Sequence, residues 1–452
     1  MIGGSISGLL AARALSEAFE RVTVIDRDEL PRSPAARRGV PQSRQIHGLL
    51  ARGTEVLEQL FPGFSDDLAG AGARFGDLQS DLHWYQDGLL LKPGASGLIG
   101  AAASRPLIEH VVRTHVASLS GVTIVDRCDV LALTATADRR RITGVRLRDR
   151  APGATEAVAD ADADLVVDAT GRGSRSPAWL EDLGYLRPRE EYIRVRATYM
   201  SQVYRHEPHH FDGRMGTACA AYPGTPRSGF ALVQEAGRVV IMLGGYLGTQ
   251  APTDHDGMLA YAGTLATQDY ADIIRTATPL AEPVKMHHPA SIRRHYEEMD
   301  RLPEGYLVLG DAICSFNPVY GQGMTTAALQ GLLLKDLLAE TREELGRRFL
   351  NAAAKLLDTP WGVVAGGDLR FPEAEGTRTA RTKQFSAYLT RYRVAAHHDA
   401  ELVTAFLRVT NMLDDPSALM TPEIVARVTA GWLNSREEDE VRPPRRPDVL
   451  AV

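Results

Sequence analysis

Apolar and polar positions follow two periods along this chain, and the points where the period changes divide it. Residues 9–19 are spaced as a helix, and residues 21–25, Arg-Val-Thr-Val-Ile, read as a β-branched strand closing on Asp26. Residues 45–60 carry a helical apolar spacing. Ser104-Arg105-Pro106 opens another helix, with Ser104 as N-cap and Pro106 in the first turn. Residues 75–97 look like a hairpin that leaves the first unit and returns to it. Residues 123–125, 129–134 and 142–148 alternate as strands and predict a small β-meander. Residues 164–171 read as a buried parallel strand meeting a glycine turn. The texture then changes. Residues 192–204, 229–235 and 238–246 alternate over long runs, the last two joined at Glu235-Ala236-Gly237-Arg238, which predicts an antiparallel sheet. Residues 256–276 read as two short helices. A short apolar run at 306–309 precedes a Gly- and Pro-punctuated loop and a long helix at 325–340. Residues 341–431 are helical and amphipathic, with interruptions expected at 358–361 and 371–372. The charged, Pro-rich stretch 435–452 is expected to be a disordered tail.

Composition narrows the class without changing that outline. The 452 residues are 44% hydrophobic and 24% charged, an ordinary globular balance with about two domains and an appendage. The net charge of −6 argues against nucleic acid as a partner, which needs concentrated positive charge. No apolar run reaches the ~20 residues of a membrane span, and Gly3-Gly4-Ser5 interrupts any signal peptide, so a cytoplasmic location is expected. Cys128, Cys219 and Cys314 are too widely spaced for a disulfide framework or a CxxC site. His206, His209 and His210 lie in a Pro-broken polar segment, and His287-His288 precede Pro289; both groups are read as solvated, and no metal site is expected.

The chemistry lies at two ends of the chain. Residues 3–8, Gly-Gly-Ser-Ile-Ser-Gly, form a dinucleotide fingerprint in which Ser5 replaces the second glycine. A helix and a strand follow, and Asp26 stands 18 residues past Gly8, where a carboxylate receives ribose hydroxyls. Only Met1-Ile2 precede the glycines, whereas such a strand needs about five residues, so the natural chain is expected to extend upstream or to have a misassigned start. The loop at 28–44 holds Arg32, Arg37, Arg38 and Arg44 beside Arg27; it reads either as a pyrophosphate-facing loop, with Arg27 and Arg38 as candidates, or as a basic surface loop. At the other end, residues 310–324 run from Gly-Asp through a loop to a helix start. Asp311 can accept hydrogen bonds from ribityl hydroxyls, and a helix N-terminus suits the edge of a flavin that becomes anionic on reduction.

These motifs, in this order, resemble the single-component FAD-dependent monooxygenases, the p-hydroxybenzoate hydroxylase-like group with the glutathione-reductase-type FAD fold. The resemblance covers roughly residues 1–340. Residues 38–42 with His47, residues 168–174 and residues 316–321 look most like bacterial flavin epoxidases of polyether pathways, relatives of squalene epoxidase, and residues 358–361 extend the likeness. It implies an α/β fold: a Rossmann-like FAD-binding domain with a β-meander (1–76, 98–175 and 300–340), an antiparallel-sheet substrate domain of α+β type (77–97 and 176–299), C-terminal helices (341–434) and the tail (435–452). It assigns Gly3, Ser5 and Gly8 to the pyrophosphate turn and Asp26 to the adenosine ribose. Arg105 would touch the pyrophosphate or ribityl chain, Val130 the adenine, and Asp311 the ribityl hydroxyls. Pro318, Gly321, Gln322, Gly323 and Met324 would line the isoalloxazine. Flavin C4a, as a hydroperoxide formed with O₂, would carry the chemistry, so no catalytic side chain is implied.

The implied activity is epoxidation or hydroxylation of an apolar alkene or aromatic intermediate of antibiotic and other secondary metabolism, by a monomer or homodimer. Thr170-Gly171 stands where the hydroxylases have Asp-Gly, which leaves NAD(P)H and an external flavin reductase both open as electron source. Three other readings stay open: a flavin reductase or dehydrogenase of the geranylgeranyl-reductase type, a flavin halogenase, although no Trp-x-Trp-x-Ile-Pro occurs, and a flavoprotein scaffold that binds FAD without turnover. His47, Met200, Tyr222, Phe230 and Met242 are the candidate substrate-pocket residues, with core packing the competing reading for the apolar ones.

Overall fold

A computed structural model describes residues 1–151, 153 and 158–441. At its centre is a parallel layer. Val22–Ile25 pairs in parallel with Val122–Val125, and Val166–Asp168 with Tyr306–Val308. Ile2 bridges the two pairs, facing Ile25 on one side and Asp168 on the other. β-Branched residues dominate these short strands because both faces are covered. The covering helices on one face are Ile6–Leu15 and Gly323–Glu340, packed against each other. Leu9, Leu10, Ala11 and Ala12 are fully buried, so the first helix is apolar on nearly all sides. The two ends of the chain therefore meet in one core.

The meander differs from its sequence outline. Val122–Val125 belongs to the parallel layer, and the third meander strand is Val158–Asp162, giving the order 158–162, 142–149, 128–135. That strand is half polar and largely exposed, so its sequence carries little strand signal. The helix expected over 45–60 is shorter, Ala51–Leu60; Gly48–Leu49 instead pairs with Ile99–Ala102.

A seven-stranded sheet forms the second layer. Its strands run 284–288, 197–205, 238–245, 227–234, 216–219, 82–86 and 89–90, so the excursion after Asp77 supplies one edge. The long run at 192–204 is two strands, Arg189–Ile193 and Ala197–Arg205, in different sheets, with Arg196 at φ +49° between them. Helices Leu345–Asp368, Ala380–Ala396, Ala400–Thr410 and Pro422–Val441 complete the fold. The expected interruption at 358–361 is absent: Leu345–Asp368 continues through Pro360. The last helix runs through Ser435 to Val441, into the stretch expected as a tail; residues 442–452 lie outside the described residues. Among the described residues, no helix is long and apolar enough to cross a membrane.

Candidate functional site

A large cavity of about 1570 Å³ joins the glycine turn at 3–8 and the loop at 310–324 to the seven-stranded sheet and the C-terminal helices. Ordinary small-molecule pockets occupy roughly 300–1,000 Å³, so there is space for more than one ligand. Gly3, Ser5 and Asp26 lie on its wall, as do His47, Arg105, Val130, Asp311, Pro318 and the run 321–324. Gly8 does not; a Cβ there would stand 1.8 Å from the Gly3 carbonyl oxygen, so this glycine lets helix and turn touch.

The glycine-turn end is a network of charge. The Ser5 hydroxyl donates to Glu109 (2.7 Å) and accepts from Arg105 Nη2 (2.8 Å). Arg105 and Glu109 are one turn apart on the helix Arg105–Ala117, whose start is capped by Ser104. Asp26 accepts from the Gly4 and Asp28 backbone N–H groups at 2.7 and 2.8 Å. Arg37 bonds Asp26 at 3.1 Å, Asp28 at 2.9 Å and Glu109 at 3.0 Å. This corrects the sequence assignment: Arg37 is the inward arginine, whereas Arg38 is exposed and off the wall. Arg27 is exposed at the cavity rim.

At the opposite end, Asp311 follows the strand Tyr306–Val308 and faces the cavity. Burial pushes its carboxyl up to about 6 against the pull of Arg105 and Arg172. Gln322 is 1% exposed and sits on the wall, yet neither its amide oxygen nor its nitrogen has a partner among the described residues. The Thr325 hydroxyl and Arg105 Nε are likewise buried and unpaired. Buried polar atoms of this kind call for a partner. A cofactor with an amide-edged ring, a polyol chain and a diphosphate supplies donors and acceptors of the right kinds, so these residues fit FAD. Gly321, at φ +66°, turns the chain into the helix N-terminus beside them.

Beyond that loop lies a buried cluster that the sequence did not reveal. Asn317, fully buried, donates from Nδ2 to both oxygens of Asp368 (3.2 and 3.1 Å) and to the Tyr246 hydroxyl (3.0 Å), and accepts from Tyr199. Tyr320 donates to Asp368 at 2.7 Å. Burial raises the Asp368 carboxyl to about 6. His288 is also buried, not solvated; burial, then the charge of Arg172, pushes its imidazole down to about 3. His47 faces the cavity, and burial followed by Arg105 pushes it down to about 4. His210 is buried as well, at 3% exposure.

Of the substrate-pocket candidates, Phe230 and Met242 reach the wall beside His47. Met200 is fully buried in the core and Tyr222 lies off the wall, because alternate strand residues face opposite sides of the sheet and a turn separates Tyr222 from it. All three cysteines are free and buried. Among the described residues, one group has metal-ligand atoms within 4.8 Å of one another, His295 with Glu297 and Glu298. It is off the cavity wall, and Arg189 and Arg293 pair with its carboxylates.

No protein-family model matches the chain. It is 34% identical to Protein Rv3254 of Mycobacterium tuberculosis, over 98% of this chain and 96% of that protein. Among solved structures it is similar to PqsL, "a probable FAD-dependent monooxygenase from Pseudomonas aeruginosa", at 17% identity and TM-score 0.59, covering 90% of this chain and 98% of the other. It is also similar to the flavin-dependent brominase Bmp2, at 13% identity and TM-score 0.67, covering 97% and 98%. The architecture is the one shared by FAD-dependent monooxygenases and flavin halogenases, a Rossmann-like FAD-type domain joined to a sheet-based second layer.

Proposed function

We propose that this chain, which belongs to the same family as the mycobacterial Protein Rv3254, is an FAD-dependent monooxygenase that epoxidises or hydroxylates an alkene or aromatic intermediate of secondary metabolism. The observation that carries this reading is the continuous cavity: polar and charged from Ser5 to Gln322, apolar where Phe230, Met242 and Phe371 line it. FAD belongs to the unit formed by 1–76, 98–175 and 300–340, and the substrate to 77–97 and 176–299. Within the first unit, Ser5 and Arg105 would hold the diphosphate, Asp311 the polyol, and Gln322 with the 321–324 turn the ring. Bound FAD would supply activation of O₂ and transfer of one oxygen atom. The chain's own contribution is to orient the substrate against the ring and keep water out, since a wet site wastes the oxidant.

A second feature bears on the electron source. Asp168, fully buried, is taken up by internal hydrogen bonds from Thr170 and Ser174 and does not reach the cavity. Thr170, on the cavity wall where the hydroxylases carry Asp, offers no carboxylate either, which supports an external flavin reductase over a nicotinamide site. Substrate-dependent O₂ consumption and ¹⁸O incorporation from ¹⁸O₂ into polyene or aromatic products test the proposal. Turnover unchanged without O₂ would move the chain to the reductase or dehydrogenase reading, and a product that forms only with bromide or chloride to the halogenase reading.

A further inference from the structure

The C-terminal side of the cavity carries charge that a wholly apolar substrate leaves unexplained. Arg370 and Arg393 both lie on its wall. Arg370 follows the helix Leu345–Asp368 and grips Asp87 through two parallel bonds of 2.8 and 2.7 Å. Arg393, on the helix Ala380–Ala396, stands 3.7 Å from the same carboxylate. It is 6% exposed, and its Nε and Nη1 have no hydrogen-bond partner among the described residues. Two guanidinium groups therefore share one carboxylate that Arg370 already engages. Leaving guanidinium donors buried and unmatched is costly, and a well-packed fold keeps such a group where a ligand completes it. Burial and the neighbouring Arg370 lower Arg393 to about 10, so it stays charged at neutral pH. Phe385, Leu389 and Phe406 stand on the same wall.

We propose that the substrate is an amphipathic organic acid whose carboxylate docks on Arg393 while its apolar body extends along the cavity. A planar guanidinium matches a carboxylate in geometry, and the single unmatched positive charge favours a monoanion over a dianionic phosphate ester. The inference rests on the monooxygenase reading for what happens at the other end of the substrate, but the anion site stands on its own geometry.

The test is calorimetric titration of the flavin-loaded protein with geranate and with cinnamate, each against its methyl ester, which keeps the skeleton and removes the charge. The acids bind more tightly than their esters by on the order of tenfold, as charged hydrogen bonds of this kind give. Arg393→Met brings that ratio to about one, and Arg393→Lys keeps part of it. No preference for the acid in either pair with the unmodified protein, or a preference that survives in Arg393→Met, overturns the proposal. If Arg393→Met does not fold, the unmodified protein decides alone, and Asp87→Asn, which frees Arg370, should raise the acid preference further. Flavin absorbance on the same samples separates the two readings: acid preference in a protein that takes up no flavin sinks the monooxygenase reading and leaves the anion site standing.

Discussion

Asp311 and His288 show how much one buried titratable side chain decides. Asp311 is an ionisable carboxyl facing a cavity, opposed by Arg105 and Arg172. Asp311→Ala should weaken FAD retention by roughly ten- to a hundredfold, the scale of charge-assisted hydrogen bonds of ~1.5–3 kcal/mol. Flavin content after gel filtration reads this directly, and full, tightly held FAD in the variant would refute the assignment. His288 acts on stability through its protonation. Its imidazole is held down to about 3 from 6.5, so the folded protein keeps it neutral while the unfolded chain takes up a proton below about 6.5. Stability is therefore lost as the pH falls below 6.5, by about 2 kcal/mol at pH 5 from this residue alone. His288→Gln should reduce the drop in melting temperature between pH 7 and pH 5; an unchanged drop would show that the residue titrates normally. At this scale the sequence was a partial guide. The positions of Asp26 and Asp311 on the cavity wall were legible, Asp26 because it ends a strand 18 residues past Gly8 and Asp311 because it follows a strand and Gly310. Arg37 and Arg38 are adjacent in the same loop, and only the positions of Asp26, Asp28 and Glu109 choose between them.

At the scale of elements, distant residues set the boundaries. Ala51, the first residue of its helix, donates its backbone N–H to Asn411 Oδ1 at 2.9 Å, across 360 positions. Local apolar spacing extends the helix back to residue 45; the cap from a distant helix end and the extended Leu50 stop it at 51. Helix Leu345–Asp368 presents the converse. Proline inside a helix removes one hydrogen bond and crowds the preceding turn, yet the helix passes Pro360 because its apolar face is buried at Phe349, Ala353, Leu357 and Val364. Asn317 ties this helix, through Asp368, to the loop that leads into the candidate flavin turn. Asn317→Leu should cost about 3 kcal/mol by removing the amide that bonds both oxygens of buried Asp368, which keeps the Tyr320 hydroxyl as a donor. The midpoint of urea unfolding measures this, and a loss under about 1 kcal/mol would mean that Tyr320 alone satisfies the carboxylate.

For the whole molecule, the cavity links ligand binding to folding stability. A ligand that binds only the folded state adds about 2.7 kcal/mol at a hundredfold excess over its dissociation constant. Adding FAD to flavin-free protein should therefore raise the melting temperature by several degrees, and scanning calorimetry would detect it; a melting temperature indifferent to FAD would argue against the site. The sequence by itself determined the order of strand, glycine turn and helix at each end of the chain, and the antiparallel character of the middle. Those follow from local steric rules and from the period of apolar positions, which act within a few residues. It did not determine that Val122–Val125 leaves the meander for the parallel layer, that Phe230 faces the cavity while Met200 is core, or that Asn317, Asp368 and three tyrosines meet. Nor did it show Arg393 standing beside an already engaged carboxylate. Which side of a sheet or helix meets which neighbour depends on packing between segments hundreds of residues apart, and no local pattern encodes that.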